Sequence, residues 1–98
     1  MNIAKEIGLP ALLGQAAEEC AELAKALLKY QRILMGTNPT PVTEEKALSD
    51  IKEEAQDVKD CLRLLDREGV ETVDLKQSAM KMERWEQRIR EEKGKKNE

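Results

Sequence analysis

The apolar positions of this chain recur at helical spacing over most of its length. Ile3, Ala4 and Ile7 form a short amphipathic lead-in, which Gly8 and Pro10 interrupt. From about Pro10 to Leu34 two neighbouring rows predict one long helix. Leu13, Ala17, Cys20, Ala24 and Leu27 repeat at alternating spacings of four and three. Leu12, Ala16, Glu19, Leu23 and Ala26 repeat in the same way one position earlier, so Glu19 stands in an otherwise apolar row. Gly36 is the expected stop. Between Gly36 and Val42, Pro39 and Pro41 rule out helix and predict a loop that reverses the chain. Thr43 is a good N-cap, Glu44 and Glu45 suit a first turn, and the helix that follows should reach about Glu68, before Gly69. One of its seams is apolar: Leu48, Ile51, Ala55, Val58, Leu62 and Leu65. The adjacent seam, Ala47, Asp50, Glu54, Asp57, Cys61 and Leu64, is acidic in its middle. The pattern leaves open a break near Ser49 or Asp50. A last helix is expected from about Val73 to Glu92 behind Thr72, with Leu75, Ala79, Met82 and Ile89 in line and Met80 and Trp85 beside them. Residues 1–92 read as one domain, and 93–98 as a charged, disordered tail.

Composition narrows the class. A chain of 98 residues that is 38% charged and has only Trp85 and Tyr30 as aromatics fits a helical bundle, and its small size favours association with further copies. A net charge of -3 gives no general basic field, which disfavours nucleic acid as a partner. No apolar run is long enough for a membrane span, and no signal peptide is visible, so a cytoplasmic location is expected. Cys20 and Cys61 fall on apolar-leaning faces and are expected to be small buried hydrophobes in a reducing compartment.

The candidate chemistry lies in two acidic turns. Glu19 and Glu22 on the first long helix, and Glu54 and Asp57 on the second, are each three residues apart and share a face. Brought together, four carboxylates repel one another unless a cation sits between them. The chain has no His, so oxygen would be the main ligand, which suits Mg²⁺, with Mn²⁺ as the alternative.

Glu18-Glu19-Cys20-Ala21-Glu22 followed by Glu54-Ala55-Gln56-Asp57 resembles the paired acidic signature of the MazG-like, all-α nucleoside triphosphate pyrophosphohydrolases. The flanking Gln15-Ala16-Ala17 and Val58, and the later Lys81-Met82-Glu83-Arg84-Trp85, are similar to that family's segments. The resemblance covers about residues 10 to 90. It implies dimers or tetramers of helical bundles that use Mg²⁺ to cleave nucleoside triphosphates to monophosphate and pyrophosphate. Glu19, Glu22, Glu54 and Asp57 would then be metal ligands, and Glu18 or Glu19 the base acting on water. Lys81 and Arg84, with Arg88 a turn further, would meet the triphosphate, and Trp85, helped by Tyr30, could stack on a base. Met80 stands where the family often has Asn, which points to altered specificity.

The expectation is therefore an all-α fold, an antiparallel helical hairpin plus a C-terminal helix, assembling as a four-helix-bundle-type homodimer or homotetramer. Its expected function is Mg²⁺-dependent hydrolysis of (deoxy)nucleoside triphosphates, in a house-cleaning role toward non-canonical nucleotides. The alternatives are a phosphoribosyl-ATP pyrophosphohydrolase, or a non-catalytic helical interaction module.

Overall fold

The computed structural model describes residues 1–36 and 39–97, and among them it is all-helical, as the periodicity predicts. Four helices follow one another: α1 (Ile3–Ile7), α2 (Leu9–Met35), α3 (Glu44–Arg67) and α4 (Leu75–Lys96). Thr37 and Asn38 of the expected loop, and Glu98 of the expected tail, lie outside the described residues.

Local chemistry sets most boundaries. The Asn2 side chain accepts from the Lys5 N–H at 3.1 Å and caps α1. Gly8 follows with φ of 86°, a left-handed conformation that lets the chain turn directly into α2. Thr43 caps α3 as expected, its hydroxyl accepting from the Lys46 N–H at 3.1 Å. The break considered near Ser49 does not occur. α3 is continuous there, and Lys46 Nζ reaches Asp50 Oδ1 at 2.7 Å across that turn.

The end of α3 is a Schellman-type stop. Val70 N–H donates to the Leu65 carbonyl at 3.0 Å and Gly69 N–H to that of Asp66 at 3.2 Å, while Val70 packs against the core that holds Leu65. Thr72, expected to cap the last helix, is instead held by Asp66. Its N–H and hydroxyl donate to the two carboxylate oxygens at 2.7 and 2.8 Å. Asp74 caps α4, accepting from the Gln77 N–H at 2.9 Å. α4 then continues to Lys96, through most of the segment expected to lack structure.

Ala4, Leu12, Ala16, Cys61 and Leu65 form the buried cluster, edged by Leu62, Leu64 and Val70. Burying a leucine such as Leu12 or Leu65 contributes about 1.5–3 kcal/mol. The start of α2 thus meets the end of α3, while Tyr30, late in α2, donates to Glu44 at the start of α3 at 3.1 Å. Of the two apolar rows on α2, the one containing Glu19 faces α3, with Leu12, Ala16 and Ala26 buried. The other row is exposed, and with it Cys20, contrary to the expectation of two buried thiols; Cys61 alone is buried. The physical reason is that α2 has a neighbour on only one side.

Among the described residues the extensive helix contacts are those of α2 with α3 and of α1 with α2. α4 has no buried residue along its whole length. The radius of gyration is accordingly 18.1 Å, against about 13 Å for a compact chain of this size.

Candidate metal centre

The acidic turns meet where the helical periods place them. Glu19 lies one turn beyond Ala16 in the buried row of α2, and Asp57 one turn before Cys61 on α3. One carboxylate oxygen from each of Glu19, Glu54 and Asp57 lies within 4.8 Å of the others. Glu19 and Glu54 are half-buried. Gln15 Nε2 donates to Glu19 Oε1 at 2.8 Å and fixes the direction of that side chain.

The electrostatics are those of crowded anions. Burial, and then the charges of Asp57, Glu19, Glu22 and Glu53, hold the Glu54 carboxyl above the ordinary glutamate range. Among the described residues, the charges that act on it are all acidic. Burial likewise pushes up the Cys61 thiol, helped by Glu19 and Asp57. Thiolate is the metal-binding form of cysteine, so a raised thiol is a poor ligand, and the donor set here is oxygen alone. Three convergent carboxylates with no counter-charge fit a small hard dication.

The remaining predicted residues are placed differently. Glu22 is exposed one turn beyond Glu19 and outside the convergent group, with Lys25 Nζ 3.4 Å from its carboxylate. Its charge still reaches Glu54. Glu18 is exposed on α2. Tyr30 is tied to Glu44. Lys81, Arg84, Trp85 and Arg88 all lie on α4, away from the acids. Lys81 and Trp85, with Ser78 and Met82, line an open cleft of about 690 Å³ against the 71–74 stretch. The structure therefore joins three of the four expected metal ligands and leaves the expected triphosphate- and base-binding residues on a separate element.

Gln15 is the site neighbour that the acidic motif alone does not single out. Its spacing of four residues from Glu19 on one helix is the signal that would have found it.

No protein-family model matches the chain, and comparisons with curated proteins and with solved structures give no match. The resemblance to the MazG-like enzymes therefore rests on the motif residues themselves.

Proposed function

We propose that this chain is a Mg²⁺-dependent nucleoside triphosphate pyrophosphohydrolase, working as a homo-oligomer of helical bundles. The observation that carries the reading is the convergence of Glu19, Glu54 and Asp57, with Glu54 raised by its acidic neighbours. Those three side chains would hold the ion. When bound, Mg²⁺ neutralises phosphate oxygens and acidifies nearby water.

The protein's own groups do the rest. Gln15 holds Glu19 in place. Glu18, exposed beside Glu19, takes the proton from the attacking water. The new oxygen–phosphorus bond forms at the α-phosphorus and the bond to the bridging oxygen breaks. Pyrophosphate leaves with that oxygen and the bonding pair, and the monophosphate remains. Lys81 and Arg84 supply positive charge to the triphosphate, and Trp85 a face for the base.

The test is pyrophosphate release from a panel of canonical and modified nucleoside triphosphates, with Mg²⁺ and with EDTA. Metal-dependent release with the monophosphate as co-product is the expected result. No turnover, together with no thermal stabilisation by Mg²⁺ or Mn²⁺, overturns it. That outcome would favour a non-catalytic interaction module, a reading that the exposed face of α4 also fits.

A further inference from the structure

We infer that α4 is the arm of a reciprocal homodimer: its apolar row covers the exposed row of α2 in a second copy, and the basic row beside it faces that copy's acidic cluster. α4 spans Leu75–Lys96 with no residue buried. Most helical stability in proteins comes from packing an amphipathic face against a neighbour. Yet the departure of α4 is built firmly, by the Val70–Leu65 and Gly69–Asp66 bonds, the grip of Asp66 on Thr72 and the Asp74 cap. The turn fixes where α4 points while leaving its face uncovered.

Surface area says how much is left to cover. The chain exposes 8107 Å². A folded monomer of 11.1 kDa is expected to expose about 5,700 Å². The excess, about 2,400 Å² per chain, is what each subunit gives up in a large obligate homodimer.

The exposed rows on α4 and α2 match in length and shape. Met82, Trp85 and Ile89 recur at spacings of three and four on α4, each about half exposed. On α2 the outer row begins and ends with half-exposed Leu13 and Leu27, with exposed Ala17, Cys20 and Ala24 between them. Leu13 to Leu27 and Leu75 to Ile89 each cover two heptads, about 21 Å of helix. Small residues in the middle of the α2 row leave room for the bulk of Met82 and Trp85 in the middle of the α4 row.

Charge settles which occupant fits. Lys81, Arg84 and Arg88 recur at the same three-and-four spacing, directly beside the apolar row of α4. The α2 row that carries Glu19 lies directly beside the exposed row of α2, and Glu54 and Asp57 face it from α3. With the two helices antiparallel, laying apolar row on apolar row brings basic row toward acidic cluster, in a two-fold arrangement where each copy gives and receives one arm. The catalytic reading above explains why such a cluster would want those cations. The interface itself stands on area, shape and charge.

The test uses the full chain and needs no turnover. Light scattering should give a mass of about 22 kDa or a multiple of it, and Trp85, the only tryptophan, should emit blue-shifted and be shielded from quenchers. Met82→Lys with Ile89→Lys should yield a monomer with red-shifted Trp85 emission and an intact α2–α3 melt. Lys81→Glu with Arg84→Glu should weaken association about tenfold, while Lys93→Glu with Lys95→Glu should leave it unchanged. A monomer at about 100 μM (far above the working range of an obligate dimer), or an oligomer indifferent to the first pair of changes, overturns the inference. Association unaffected by the Lys81 and Arg84 reversal overturns its electrostatic half. A chain that dimerises through α4 but hydrolyses nothing sinks the enzyme reading alone; an active oligomer indifferent to Met82→Lys with Ile89→Lys sinks this one alone.

Discussion

The α2–α3 pair and α4 are both long helices with an apolar line and many charges, yet they end in opposite states. In α2 and α3 the line finds a neighbour within the chain, and Leu12, Ala16, Cys61 and Leu65 become a core. In α4 the line of Met82, Trp85 and Ile89 stays in solvent. The difference is one of connection. α2 and α3 pack on each other. Between α3 and α4 the Gly69 turn and the Asp66–Thr72 bonds lead the chain away. Amphipathicity states that a helix needs a partner, and the turn before it decides whether that partner is in the same molecule.

The largest contrast should come from truncating one side chain in each region. Leu12→Ala, at a position only 1% exposed, should cost about 2–5 kcal/mol of unfolding free energy in denaturant titration. Leu75→Ala, on the same helix and measured on the monomeric Met82→Lys, Ile89→Lys background, should cost under about 0.5 kcal/mol. Equal losses would mean that α4 packs within its own chain.

Next in size is the acidic cluster. Glu54→Gln should lower turnover about 100-fold or more, and remove the Mg²⁺-induced rise in melting temperature. Division of the site between the two regions can be tested by mixing. Equal amounts of Lys81→Ala and Glu54→Gln chains, dissociated and reassembled, should recover about a quarter of wild-type turnover if α4 serves the other subunit. If each chain is self-sufficient, the mixture should stay inactive. A smaller effect is expected at Gln15. Gln15→Ala leaves Glu19 unheld and should weaken Mg²⁺ binding about tenfold in a titration followed by thermal shift.

The smallest effect is a pH dependence. The folded state holds the Glu54 proton more tightly than the unfolded chain, so metal-free stability falls as pH rises from the ordinary glutamate range through Glu54's raised value. Metal-free Glu54→Gln should therefore melt above wild type at neutral pH. That advantage should vanish once the pH is below the ordinary glutamate range. A Glu54→Gln advantage that persists unchanged in acid would show that charge crowding is not its cause.

Much of this was legible in the sequence because it follows from period. The 3.6-residue repeat placed the helices, and the spacing of Glu19, Glu54 and Asp57 within apolar rows foretold that they would meet. Period alone could not say which of the two rows on α2 would be buried, since both are apolar. Cys20 was expected inside and lies outside for that reason. Nor could it separate Glu22 from its neighbours, because one turn of helix carries that side chain beyond the crossing and next to Lys25. Thr72 looked like a cap, and Asp66 captured it through a contact six residues away, a longer reach than the short capping offsets that a helix-start pattern describes.

The lack of an intramolecular partner for α4 also has a kinetic consequence. α2 and α3 meet by closing a short loop, a first-order event that is fast and indifferent to how much protein is present. In the proposed dimer the last helix waits on an encounter. Refolding should show a rapid phase that builds the core at any dilution, then a slower one, seen through Trp85, whose rate climbs in proportion to protein concentration.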